Sequence, residues 1–169
     1  MSTVVFVPLT VVAFAALDRR VRYGLVQWIA VTSIIAAHLV LSVPGPGGPL
    51  YYRGSEIVRV DHLVHLLTGG LVAWLSWPLL ARMLAPNARP SIMACLAVVI
   101  PVGLGGMKEI TDFISVAAAH EPYDTVDSLC DVAANALGSV AVVLLVRHRP
   151  TPRPPGRDDL DLLAPTERR

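Results

Sequence analysis

What most constrains this chain is a series of apolar stretches, each about as long as a bilayer's hydrocarbon core is thick. A helix needs ~20 residues to cross that core. Four stretches qualify: "YGLVQWIAVTSIIAAHLVLSV" (23–43), "HLVHLLTGGLVAWLSWPLLA" (62–81), "SIMACLAVVIPVGLGGM" (91–107) and "VDSLCDVAANALGSVAVVLLV" (126–146). The opening "MSTVVFVPLTVVAFAAL" (1–17) is shorter but carries no charge. With 54% apolar and 16% charged residues, the chain does not have the composition of a soluble domain. The expectation is an all-α, polytopic integral membrane protein with five transmembrane helices at about 1–17, 23–43, 62–81, 91–107 and 126–146.

Residues 1–146 thus form one transmembrane domain. The remaining segment, 147–169, is too rich in Pro and charge to bury a core and reads as a disordered cytoplasmic tail. A signal peptide carries its basic residues before the apolar run, whereas "DRRVR" follows it here, so the first segment reads as a retained helix. The glycines of "GLGGM" follow no strand. Gly103, Gly105 and Gly106 are therefore expected at close helix contacts rather than around a phosphate.

Five crossings put alternate loops on opposite sides. Eleven of the fourteen basic residues then share one side, and only Arg53, Arg59 and Lys108 fall on the other. The positive-inside rule makes the richer side cytoplasmic, with the N-terminus outside and the C-terminus inside. Eight of the thirteen acids collect on the outer side, which the rule does not require. Those acids need another reason.

They are not scattered. Asp61, His62 and His65 stand where the third helix enters from outside. Lys108, Glu109 and Asp112 stand where the fourth leaves, and Asp127, Asp131 and Asn135 where the fifth returns. Separations of three and four place each set on one helix face. Asp131 lies roughly 6 Å deeper than Asp127, and Asn135 roughly 12 Å deeper. A carboxylate at that depth costs about 2.5–3.5 kcal/mol unless it is paired or lines a polar cavity.

These nine residues form the candidate binding site, with Asp61, His65, Glu109 and Asp131 as candidate catalytic groups. Imidazole and carboxylate drawn from different helices suit zinc or manganese. The candidate ligands are Asp61, His65, Glu109, Asp112, Asp127 and Asp131. Plainer roles compete for some of them. Asp61 and Asp124 suit helix N-caps, Glu121 and His120 suit solvated loop positions, and His38 reads as a satisfied buried histidine. Asn135 with Gly138 suits helix packing, and Lys108 can neutralise Asp127 or Asp131. One lysine cannot balance five acids, so Arg53 or Arg59 folds in, some acids are protonated, or a cation sits there. Cys95 and Cys130 fall at opposite membrane depths, too far apart for a disulfide.

At these residues the chain resembles the YjdF-like family of bacterial inner-membrane proteins and, more remotely, the VanZ-like family associated with glycopeptide resistance. Asp61-x-x-x-His65 is similar to the family's Asp/His helix start, and Glu109-x-x-Asp112-Phe113 to its paired acids followed by an aromatic. Asp124-x-x-Asp127-x-x-x-Asp131 is similar to its triple-Asp helix entry, and Asp131-x-x-x-Asn135-x-x-Gly138 to the VanZ-like signature. Asp112 replaces the Gln of the VanZ-like pattern, and no Arg precedes the aspartates. The resemblance implies a small helical protein of the bacterial cytoplasmic (inner) membrane. The expected partners are the lipid bilayer and an outer-leaflet lipid or cell-wall precursor, with no nucleic acid. Two functions compete: binding such an envelope component, and a metal-dependent hydrolase or transferase acting on it.

Overall fold

A computed structural model describes residues 2–43, 46, 49–54, 59–84, 89–120 and 122–147, excepting the side chains of 2–9, 20 and 51. Among the described residues the protein is all-helical. Its α-helices are α1 (Ser2–Val21), α2 (Leu25–Leu41), α3 (Val60–Met83), α4 (Pro90–Ala118) and α5 (Thr125–Val146), with a short 3-10 turn at Leu50–Tyr52. Helices α3, α4 and α5 are long and apolar enough to cross a membrane, and α2 is a shorter apolar helix. Residues 148–169, the bulk of the expected tail, lie outside the described residues, as does Glu121.

The three long helices form the central unit, in which α3 packs along both α4 and α5. Small side chains set how close they come. A Cβ at Gly138 would overlap the Leu66 carbonyl oxygen, and one at Gly69 would overlap the Asn135 backbone. Ser139, wholly buried, donates to the carbonyls of Gly69 (3.1 Å) and Asn135 (2.6 Å), so its hydroxyl is satisfied where no water reaches. Nearer the other end, Ala73, Leu80, Ala97 and Val143 close the apolar core. Outward from this seam Leu63, Leu67, Val99, Ile110, Leu129, Leu137 and Leu145 are exposed. Apolar surface so extensive suits lipid, not water.

Helices α1 and α2 join this unit through aromatic contacts. Phe14 stacks on Tyr23 (5.0 Å between centroids) and meets Trp28 edge-on (4.6 Å). The Tyr23 hydroxyl donates to the Leu75 carbonyl of α3 at 2.8 Å. Arg22 takes a left-handed conformation (φ 55°), and the turn lets the Tyr23 amide reach the Asp18 carboxylate at 2.6 Å.

Two expectations change. The fourth helix does not stop at 107 but runs eleven residues further, to Ala118. No Gly or Pro interrupts 108–120, and Lys108 pairs with Asp112 one turn on (3.1 Å), so the helix continues. Twenty-nine residues span roughly 44 Å, more than the ~30 Å core, so the acidic part of α4 belongs to the helix itself and not to a loop. The glycines of α4 also divide. Gly103 and Gly106 have open space where a side chain would go, and only Gly105 abuts a neighbour.

Candidate functional site

The start of α3, the last third of α4 and the start of α5 meet at one end of the bundle. All nine expected site residues are there, and six of them form two groups that share Asp131. In the first, Asp61, His62, Asp127 and Asp131 each offer a ligand atom, all within 4.8 Å of one another. In the second, His65, Glu109 and Asp131 do the same. Asp61, His65, Glu109, Asp131 and Asn135 are buried, each less than a tenth exposed. Asp112 belongs to neither group. It is about a third exposed and faces Lys108.

A permanently charged basic side chain stands beside each group. Lys108 Nζ lies 2.7 Å from Glu109 Oε1, 3.1 Å from Asp112 Oδ2 and 3.6 Å from Asp131 Oδ2. It therefore neutralises Asp131 but not Asp127. Arg59 takes that role, ion-paired with Asp127 and with its Nε 3.6 Å from Asp61 Oδ2, while its guanidinium lies over the Tyr52 ring. Arg53 instead donates to the Pro46 carbonyl at 2.7 Å. Five carboxylates thus face two permanent cations, and the balance is met only in part.

The histidines are oriented by their second nitrogens. His62 Nδ1 accepts from the Arg59 amide at 3.3 Å, so its Nε2 carries the proton and points at Asp127 Oδ1, 3.1 Å away. His65 Nδ1 lies 3.1 Å from Asn135 Nδ2, and its Nε2 lies 3.2 Å from Asp131 Oδ2. The Asp131 carboxylate only accepts, so without an ion Nε2 carries the proton and Nδ1 accepts from the Asn135 NH2 group, an amide that can turn to present its oxygen if the tautomer changes. A Cβ at Gly105 would lie 2.6 Å from Asn135 Nδ2, so the bare backbone of α4 is what admits this amide. Glu109 is held from its other side by the Tyr123 hydroxyl (3.2 Å to its carbonyl, 3.4 Å to Oε2), which accepts from Ser128. Phe113 meets the Tyr123 ring edge-on.

Among the described residues three buried side-chain polar atoms stay unmatched: Thr68 Oγ1 and, in the cluster itself, Arg59 Nε and Asp131 Oδ1. Asp131 Oδ1 is buried without a hydrogen-bond partner among the described residues, 3.9 Å from His62 Nε2. Burying a carboxylate oxygen that accepts nothing costs about 1–3 kcal/mol or more.

The plainer roles also resolve. Asp124 caps α5, accepting from the Asp127 amide at 3.1 Å. Asp61 does not cap α3. The N-cap is Arg59, and Asp61 lies inside the first turn, where its Oδ1 accepts from the His62 amide at 2.9 Å. His38 of α2 is half-buried and not fully enclosed, and its carbonyl accepts from the Ser42 hydroxyl. Sequence reading passed over Tyr123 and Ser128. An aromatic hydroxyl one residue before an acidic helix cap was the available signal. Both cysteines are free, Cys95 near the start of α4 and Cys130 near the start of α5.

No curated protein and no solved structure matches the chain. A family does: the one described as predicted membrane protein (DUF2238), to which the YjdF-like family corresponds, matches residues 1–151. With 151 of its 169 residues matched, this chain belongs to that family of membrane proteins.

Proposed function

We propose that this protein is a multi-pass protein of the bacterial inner membrane. Its acid–imidazole cluster faces the extracytoplasmic side, and it binds there an outer-leaflet lipid or other amphiphilic envelope component. Helices α1 and α2 complete the five crossings, with α1 entering from outside and the tail in the cytoplasm. The observation that carries the reading is an apolar groove of about 210 Å³ between α3 and α5, lined by Leu66, Gly70, Leu71, Trp74, Gly138 and Val142. It begins one turn below His62 and extends roughly 12 Å along α3. A polar head placed at the cluster would therefore have its chain in line with the groove. A larger hollow between α4 and α5, around Cys95 and Arg147, lies at the other end and has no polar cluster beside it.

Binding is favoured over metal-free turnover with a histidine base because, with no ion bound, both nitrogens of His65 and of His62 face protein groups and not a substrate. The VanZ-like spacing of Asp131, Asn135 and Gly138 agrees with a site of this kind.

Native mass spectrometry of protein extracted in mild detergent tests the reading. The wild type should retain an envelope lipid through delipidating washes. Ala141, exposed on the groove wall, can be enlarged without touching the core, so Ala141→Trp should lose that lipid while melting normally. Equal retention by both proteins, or retention by neither, refutes the groove.

A further inference from the structure

We infer that His65, Glu109 and Asp131 form a binding site for a single divalent transition-metal ion of the zinc or manganese class, with Lys108 as the cation that vacates it. The three side chains come from three different helices and place their ligand atoms within 4.8 Å of one another; those of His65 and Glu109 are about a tenth exposed and that of Asp131 is 5% exposed. One imidazole with two carboxylates is a donor set that borderline metals accept and that calcium or magnesium does not prefer. At metal–ligand distances of about 2.0–2.2 Å, ligand atoms around one ion stand about 3.4 Å apart. His65 Nε2 and Asp131 Oδ2 are already 3.2 Å apart.

Acidic clusters are common without metals, so the case needs more than proximity. The unmatched, buried Oδ1 of Asp131 supplies it. The protein fills one side of this carboxylate with His65 and Lys108, while on the other His62 Nε2 stands 3.9 Å from Oδ1, beyond hydrogen-bond reach. An ion bound by both oxygens of Asp131 removes that deficit. The second shell is also in place. If the Asn135 amide presents its oxygen to His65 Nδ1–H, the Nε2 lone pair is directed at the ion. Tyr123 and Ser128 hold Glu109.

The other group, Asp61, His62 and Asp127 with the shared Asp131, is excluded on its own contacts. Arg59 occupies two of its carboxylates, and the Arg59 amide holds His62 as the tautomer whose Nε2 bears a proton and cannot ligate. Lys108 is different. Its side chain is 41% exposed, and Asp112, one turn away and 3.1 Å from its ammonium, gives it somewhere to go. Asp112 is then the resting place of the displaced lysine and not a ligand.

The test uses the full chain in detergent, purified on a tag without histidines, stripped with chelator and then titrated with zinc by calorimetry and elemental analysis. One zinc per chain is expected for the wild type, with uptake abolished in His65→Ala and Glu109→Gln but kept in His62→Ala. Asn135→Ala should weaken binding about 10–100-fold. Lys108→Met, which removes the competitor, should bind more tightly than wild type. Should the ligand variants fail to accumulate, cobalt(II) bound to the wild type reports the site directly, through visible absorption and a histidine ligand detected by X-ray absorption. No zinc uptake by the wild type, uptake untouched by Glu109→Gln, loss confined to His62→Ala, or Lys108→Met binding no tighter each overturns the assignment. Zinc uptake and lipid retention are separate readouts, so either can fail without the other.

Discussion

The side-chain amide of Asn135 on α5 lies 3.1 Å from Nδ1 of His65 on α3, in the gap left by the missing side chain of Gly105 on α4. Three helices therefore meet at one hydrogen bond, and both of its partners are buried. Replacing Asn135 by Ala leaves the imidazole nitrogen unpaired and opens a void beside Gly105. A loss of about 1–3 kcal/mol follows, read as a lowered melting temperature in detergent. Asn135→Gln keeps the amide but lengthens its arm against a backbone with no room, so it should not rescue. A melting curve for Asn135→Ala that superimposes on the wild type would show the bond to be idle.

The glycines give a sharper contrast. Gly138→Ala drives a methyl group into the Leu66 carbonyl and must push α3 and α5 apart, so the protein should accumulate poorly or melt well below wild type. Gly103→Ala and Gly106→Ala meet nothing within 4 Å, and Ala is the better helix former by about 1 kcal/mol. Both should melt at or slightly above wild type. Parallel melting curves for the three variants decide it, and equal destabilisation at Gly103 and Gly138 would contradict the packing.

How far the sequence told these positions apart follows from the physics that places them. Long apolar runs and three- and four-residue spacings are local signals, and they marked the helices and brought Asp61, His65, Glu109 and Asp131 together. Which of "GLGGM" faces a neighbour is not local. All three glycines look alike until α5 is set against α4. Arg59 was equally hard to assign, because Arg53, Arg59 and Lys108 were the only basic residues on that side and only the turn into α3 decides which arginine reaches Asp127. The extension of α4 past Met107 was missed for a plain reason. Charged residues end an apolar run without ending a helix.

Asp124 offers a test of the division between cap and site. Its Oδ1 accepts from the Asp127 amide, and it belongs to neither group of ligand atoms. Asp124→Ala should cost about 0.5–2 kcal/mol through the lost cap, and Asp124→Asn only a few tenths. Neither should change zinc uptake. Zinc lost from Asp124→Asn with its stability intact would move this aspartate into the site.

The last prediction concerns which side of the membrane the cluster faces. The start of α3, the end of α4 and the start of α5 converge, so a single orientation fixes the compartment of all five acids. In the sequence, eleven of the chain's fourteen basic residues fall at the close of α1, around the α3–α4 connection or from Arg147 onward, which five crossings put on the other side of the membrane. Moving so many arginines across the membrane opposes the strongest known determinant of orientation. An alkaline-phosphatase fusion made after His120, just past α4, should therefore be active, and one made after Arg149 inactive. A reporter folded only in the cytoplasm should give the mirror result at the same two positions. The reverse pattern would place the acid–imidazole cluster in the cytoplasm. The zinc site would survive that outcome, since it depends on side-chain geometry alone, but an outer-leaflet ligand would not.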